Sequence, residues 1–186
     1  MNLTLLILLP LLTAILILLA KGLQQIRIIG LIGAVAQLGL AGWLLQSFLA
    51  QRAAGNNAAH LFESNQTWFK ALNINYHIGI DGIALAMILL TSIIVVAGML
   101  VSWTMDKLSK EYFFLLVLLS MGAYGFFISL DLFTLFFFLE VAVIPKFLLI
   151  GIWGSGDKTK SAMKLALMLM AGSALVMVGL FGILVD

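Results

Sequence analysis

The sequence contains no cysteine and very little charge. Without cysteine, the chain has no disulfide, no cysteine-ligated zinc site and no iron–sulfur cluster of its own. Only 10% of its residues are Asp, Glu, Lys or Arg, whereas a soluble domain has about 25%. The net charge of +2 is too small to indicate binding to nucleic acid. These absences exclude a soluble domain and a carrier of cysteine-bound redox centres.

Apolar sequence makes up most of the chain: 63% of the residues are hydrophobic and the mean hydropathy is +1.19. A helix needs about 20 mostly apolar residues to cross a bilayer. The sequence therefore predicts an all-α fold, a polytopic bundle of six transmembrane helices that forms a single membrane domain over residues 1–186. The predicted helices are residues 3–20, 28–50, 83–103, 112–130, 132–153 and 165–185.

One long segment, residues 51–79, is polar and contains the Asn and Gly residues typical of turns. We expect an extramembrane loop here, with a small hairpin that includes an alternating stretch at residues 72–78. His60 and His77 both fall in this loop, without the further ligands that a metal site needs. We therefore expect no metal site.

Basic residues are concentrated in alternate turns between the predicted helices. Lys and Arg accumulate on the cytoplasmic side of membrane proteins. One side carries Lys21, Arg27, Lys107, Lys110, Lys158, Lys160 and Lys164, whereas the other carries only Arg52 and Lys70. The N-terminus and the 51–79 loop are therefore predicted outside, and we expect the chain to lie in a bacterial inner membrane.

The fifth predicted helix, residues 132–153, contains a carboxyl group, Glu140. A charge at the centre of a bilayer costs roughly 2.5–3.5 kcal/mol on insertion scales, so such residues are rare and usually mark ion or proton pathways. Glu140 lies nine residues beyond Asp131, or roughly 13 Å deep at about 1.5 Å per residue. We favour Glu140 as a proton-binding residue over a carboxyl that only stays protonated, or that pairs with a basic residue to fix helix packing.

Pro145 and Lys146 follow in the same helix. Because proline has no N–H, Pro145 leaves the carbonyl of Val141 without its helical donor, directly beside Glu140. Lys146 lies six residues after Glu140, about 240° around the helix, so the two side chains do not face each other. Three roles stay open for Lys146: snorkelling to the interface, an ion pair with another helix, and direct proton relay.

Three stretches resemble the antiporter-like proton-channel subunits of respiratory complex I, and among these most closely subunit M. They are GIDGIAL at residues 79–85, SW at residues 102–103 and DLFTLFFFLEVAVIPKFLLIGIWG at residues 131–154. The last is the most specific, because it combines an acidic residue in the fifth helix, a proline five residues later and a closing WG. The resemblance implies a 14-helix subunit, of which this chain is an N-terminal portion, in which Glu140 works opposite a lysine on a seventh helix. It implies nothing about Lys146, where the family more commonly has an apolar residue.

The sequence therefore predicts a proton-translocating membrane-arm subunit of an NADH:quinone oxidoreductase, a translocating enzyme, with no redox centre on this chain. The resemblance implies that NADH, FMN, iron–sulfur clusters and quinone are bound by partner subunits. It also implies that the partners are the other membrane-arm subunits and the lipid bilayer, and not nucleic acid. Three alternatives stay open: a subunit of a multi-subunit cation/proton antiporter, a ferredoxin- or hydrogenase-linked version of the complex, and a non-transporting membrane scaffold.

Overall fold

The structure is a computed structural model that describes residues 2–69 and 74–185. Six helices and one hairpin follow in the order α1 Leu5–Leu19, α2 Leu23–Ala53, β1 Leu61–Phe69, β2 Ile74–Ile80, α3 Gly82–Val101, α4 Ser109–Ile128, α5 Leu132–Trp153 and α6 Lys158–Val185. The predicted helical membrane fold is confirmed. Five of these helices are long and apolar enough to cross a membrane, and α1 is a shorter apolar helix.

Two helices begin five or more residues earlier than the apolar runs predict. α2 begins at Leu23 instead of residue 28, and α6 begins at Lys158 instead of residue 165. The reason is that Gln, Arg, Lys and Met are good helix formers, so each helix continues beyond the apolar segment into the polar turn. Glycine ends this extension in both cases, with Gly22 next to the start of α2 and Gly156, at a φ of +66°, just before α6.

The polar segment forms an antiparallel two-stranded hairpin, larger than the expected alternating stretch. β1 falls in a sequence, LFESNQTWF, with no clear apolar alternation, which is why the sequence did not predict it. Residues 72 and 73 of the expected stretch lie outside the described residues. Burial raises the pKa of Tyr76 in β2, against the smaller opposing effect of a hydrogen bond with Thr4.

The hairpin is fastened to the turn between α4 and α5. The backbone N–H of Leu130 donates to the His77 carbonyl at 2.9 Å, and the Thr134 hydroxyl donates to the Asn75 carbonyl at 3.3 Å. Asp131 caps α5 by accepting from the N–H groups of Phe133 and Thr134, both at 3.1 Å. The start of α5 is therefore fixed against the hairpin.

Asp81 caps the start of α3. Its Oδ1 accepts a hydrogen bond from the N–H of Ala84 at 2.7 Å, which satisfies one of the free donors at the helix start.

Two buried clusters lie at opposite ends of the bundle. The cluster beneath the hairpin joins the start of α1, the end of α2, both strands, the start of α3 and the end of α4, through Leu3, Leu6, Ala41, Leu44, Phe48, Leu61, Ile78, Ile80, Leu85, Ile88, Tyr124 and Ile128. The second joins the other ends of α1 to α4, through Ala14, Ile17, Ala20, Ile26, Ala34, Met99, Phe113 and Val117. Successive helices therefore run in opposite directions.

Three of the turns rich in basic residues meet at the end remote from the hairpin. Arg27, in the first turn of α2, donates to Asp106 Oδ1 at 2.6 Å and to the Met105 carbonyl at 3.2 Å. Trp153, at the end of α5, donates from Nε1 to the Lys107 carbonyl at 2.8 Å. The basic turns that the sequence assigns to one side thus lie at one end of the bundle.

Candidate functional site

Glu140 lies inside α5, a helix of 22 residues. It follows Leu132, the first residue of the helix, by eight positions, which corresponds to roughly 12 Å along the axis at about 1.5 Å per residue. The side chain is half-buried. Its position within an apolar helix that is long enough to span a bilayer places it well away from either helix end.

The neighbours of Glu140 along α5 pack on α4. A Cβ atom at Gly122 would lie 2.9 Å from Cβ of Ala142, and one at Gly125 would overlap the ring of Phe138. Glycine at these two positions therefore allows the close contact of α4 with α5. Because each residue turns the helix by about 100°, Glu140 lies about 200° away from Phe138 and points away from α4.

α6 packs on a different face of α5, and Glu140 belongs to that face. A Cβ atom at Gly151 would lie 3.6 Å from Cβ of Ala162 in α6. Gly151 follows Glu140 by eleven residues, three full turns plus about 20°, so the two share one side of α5. The Glu140 carboxyl therefore lies on the side of α5 that packs on α6.

Ser173 lies at the level of Glu140 on the facing side of α6. It follows Ala162 by eleven residues and is 8% exposed, although Gly172 and Ala174 beside it are exposed. Because α5 and α6 are antiparallel neighbours, eleven residues along each from their contact reach the same level. The Ser173 hydroxyl donates to the Met170 carbonyl at 3.0 Å. Its oxygen can still accept a hydrogen bond from another group.

Two oxygen atoms at this point of α5 lack a hydrogen-bond donor. The first is Glu140 Oε1, which is buried and has no hydrogen-bond partner among the described residues. Pro145 is buried within α5, and because it has no N–H, the Val141 carbonyl beside Glu140 lacks its usual donor. A carboxylate in such a position needs a proton, a water molecule or a cation. The described residues supply no such partner to Glu140 Oε1.

Lys146 lies on another surface of α5. Its side chain is exposed, and within residues 2–69 and 74–185 no ion pair joins it to Glu140. The structure thus separates the two charged residues of the helix, as the angle of about 240° between them predicts. Its three roles stay open.

The two histidines of the loop face one carboxylate. Glu63 Oε1 lies 3.6 Å from His60 Nδ1, and Glu63 Oε2 lies 3.6 Å from His77 Nε2. The contact between Glu63 and His77 connects the two strands of the hairpin. In the described part of the chain, no group of three or more His, Cys, Asp or Glu side chains is arranged to hold a metal ion.

Sequence reasoning missed Ser173. The available signal was its chemistry: it is the only Ser, Thr, Asn, Gln or charged residue in residues 165–185. A lone polar residue in an apolar helix commonly forms a contact with another helix, but the level at which it meets α5 depends on the turn between the helices. The structure supplies that information.

The C-terminal third of the chain matches a known family. Residues 129–185, which include Glu140, match the family described as "NADH:quinone oxidoreductase/Mrp antiporter, TM". The chain is 34% identical over 185 residues to NADH-ubiquinone oxidoreductase chain 4 of Arabidopsis thaliana, covering 98% of this chain and 37% of that protein. It is 29% identical over 181 residues to F(420)H(2) dehydrogenase subunit M of Methanosarcina mazei, covering 97% of this chain and 36% of that protein.

The fold also matches a solved structure. A chain of respiratory complex I from Thermus thermophilus with bound NADH superposes with a TM-score of 0.76, at 22% identity over 92% of this chain and 33% of that chain. The apolar helical bundle is that of an antiporter-like integral membrane domain. Residues 129–185 belong to the family shared by NADH:quinone oxidoreductases and Mrp antiporters, and the relatives of the chain carry the names chain 4 and subunit M. The chain spans just over a third of the length of these curated relatives.

Proposed function

We propose that the chain is part of a proton-translocating membrane-arm subunit of an NADH:quinone oxidoreductase, with Glu140 as the proton-binding residue. The observation that carries the proposal is the buried, unpartnered Oε1 of Glu140 inside a membrane-spanning helix. Unpartnered carboxyl groups at this depth are costly and usually serve ion or proton movement. The names of the relatives as oxidoreductase and dehydrogenase subunits agree with this function.

The proton is held and released by electrostatics. A carboxyl in an apolar site favours its protonated form, and a cation brought close favours the charged form. The basic side chains within α5 and α6 do not supply this cation. Lys146 faces another surface, Lys158 donates to the Ile152 carbonyl at 2.9 Å, and Lys160 and Lys164 are exposed near the start of α6. The resemblance supplies a lysine on a seventh helix, so the switch forms between Glu140 and that lysine.

The redox chemistry lies on partner subunits in this proposal. The chain has no cysteine for an iron–sulfur cluster, and the partners would bind NADH, FMN, the iron–sulfur clusters and quinone. The other membrane-arm subunits would contact this chain within the bilayer. Its contribution is then a proton path and not electron transfer.

A cation/proton antiporter is the second candidate, because the matching family includes Mrp antiporters. Vesicles that contain the assembled native complex separate the two functions. NADH addition is expected to acidify one side of the vesicle in a quinone-dependent manner, as followed with a pH-sensitive dye. Proton movement driven by a sodium gradient and unaffected by NADH would instead establish the antiporter.

The orientation of the chain is open to direct measurement, because the sequence has no cysteine and any introduced one is unique within it. We expect the hairpin end to face outward and the end with the basic turns to face the cytoplasm of a bacterial inner membrane. In intact spheroplasts, a membrane-impermeant maleimide should label Asn57→Cys directly and Ser155→Cys only after permeabilisation. Both parent residues are exposed, so the reverse pattern would overturn the orientation.

Ser173 is expected to assist Glu140. Removal of its hydroxyl leaves the carboxyl without a polar group on the facing surface of α6, so Ser173→Ala should lower the rate of proton transport while assembly stays normal. Ser161→Ala, at an exposed position of the same helix, is the matched control. Equal transport rates for the two variants, measured per assembled complex, would remove Ser173 from the site.

A further inference from the structure

A second polar site lies between the first four helices. It is a small cavity lined by Pro10, Thr13, Gly33, Ala34, Gln37, Val95, Val117, Ser120 and Tyr124. The cavity has a volume of about 10 Å³, which is about the space that one buried water needs. Among the described residues, no charged side chain lines it.

Gln37 enters this cavity because of a proline in the neighbouring helix. Pro10 has no N–H and lies four residues after Leu6, so the Leu6 carbonyl has no donor within α1. Gln37 Nε2, from α2, donates to that carbonyl at 3.0 Å. This bond fixes the orientation of the amide, because a flipped amide would place its oxygen against the carbonyl oxygen.

The other end of the Gln37 amide is left without a donor. The residue is 3% exposed, and its Oε1 is buried with no hydrogen-bond partner in the part of the chain that the structure describes. A buried polar atom without a partner typically costs about 1–3 kcal/mol. Such an atom beside a polar cavity indicates a missing donor.

The hydroxyl groups in the cavity wall cannot be that donor in this arrangement, because each already donates elsewhere. Thr13 donates to the Leu9 carbonyl at 2.9 Å, and Ser120 donates to the Val117 carbonyl at 2.7 Å. Tyr124 donates to Ser92 Oγ at 3.1 Å. The cavity therefore presents acceptor oxygens only, and it is suited to an occupant that donates two hydrogen bonds.

We propose that this cavity binds one ordered water molecule, which donates to Gln37 Oε1 and to a hydroxyl oxygen of the wall. A neutral donor fits better than a cation, since the wall holds no carboxylate to balance a charge in the membrane. The water joins α1 and α2 to α4, and the bond from Tyr124 to Ser92 extends the connection to α3. The proposal is independent of Glu140, which lies on the face of α5 turned away from α4.

The direct test is a cryo-EM map of the native complex at a resolution that shows buried waters. A density peak within hydrogen-bonding distance of Gln37 Oε1 is expected. An empty cavity in a map that resolves other buried waters would overturn the proposal, as would a peak that appears only in sodium and vanishes in choline buffer, because it would identify a cation.

The unfolding temperature of variants gives a second test, because a hydrated cavity and a dry cavity predict changes in opposite directions. Ser120→Val fills the space with methyl groups and expels the water, so the complex should unfold at a lower temperature. In a dry cavity, the same change would fill a void and raise the unfolding temperature, which would contradict the proposal. Gln37→Met should also lower the unfolding temperature, whereas Gln46→Met, at an exposed position of the same helix, should leave it unchanged.

Discussion

Glu140→Gln is expected to abolish proton transport through this subunit while the complex still assembles. Glutamine has nearly the same shape as glutamate, but its neutral amide does not take up or release a proton near neutral pH. The structure gives no reason for a loss of stability, because Glu140 Oε1 has no hydrogen bond to lose and the residue forms no ion pair in the described part of the chain. The measurement is the proton-to-electron ratio of the purified complex in sealed vesicles.

A matched control removes a carboxylate outside the membrane core. Glu111→Gln changes an exposed side chain in the first turn of α4 and should leave the ratio unchanged. Normal proton transport by Glu140→Gln would remove Glu140 from the proton path. Poor assembly with normal transport per assembled complex would instead identify a scaffold in which Glu140 only specifies helix packing.

The sequence predicts both ends of the fifth helix correctly, because residues with clear helix-ending properties flank its apolar run. Asp131 caps the start, Gly154 follows the end, and the residues between are apolar apart from Thr134, Glu140 and Lys146. The start of α6 is predicted poorly, because Lys158, Lys160 and Lys164 are polar yet favour helix. Hydropathy detects where a helix enters the apolar layer and not where its hydrogen bonds begin.

The candidate site is predictable only in part, because some of its residues depend on contacts between different helices. Depth and charge identify Glu140 from the sequence alone, and helical geometry already separates it from Lys146. Ser173 and Gln37 depend on how different helices meet. The connection from Pro10 through Leu6 to Gln37 joins residues on two helices, and no local pattern in the sequence indicates which side chain meets the freed carbonyl.

The contact between α4 and α5 sets the orientation of Glu140. Phe138 and Ala142 lie two residues on either side of Glu140 and hold their face of α5 against Gly125 and Gly122. A rotation or displacement of α5 would therefore move the carboxyl relative to α6 and to the lysine expected beyond it. The packing of these helices and the proposed proton chemistry are coupled through two glycines.

Gly125→Ala is accordingly expected to destabilise the complex and to lower proton transport. An added Cβ would overlap the ring of Phe138, which is 7% exposed and has little room to move. Overpacking of this kind typically costs about 1–3 kcal/mol. Thermal unfolding of the purified complex measures the first effect, and the proton-to-electron ratio measures the second.

Gly172→Ala provides the comparison, because a Cβ at Gly172 in α6 would meet no atom within 4 Å. Alanine favours helix over glycine by about 1 kcal/mol, so this variant should be at least as stable as the native complex and should transport protons normally. Equal unfolding temperatures for Gly125→Ala and Gly172→Ala would show that α4 and α5 are not packed as closely as the structure places them. A stable Gly125→Ala complex with reduced transport would show that the position of α5, and not the survival of the fold, limits the action of Glu140.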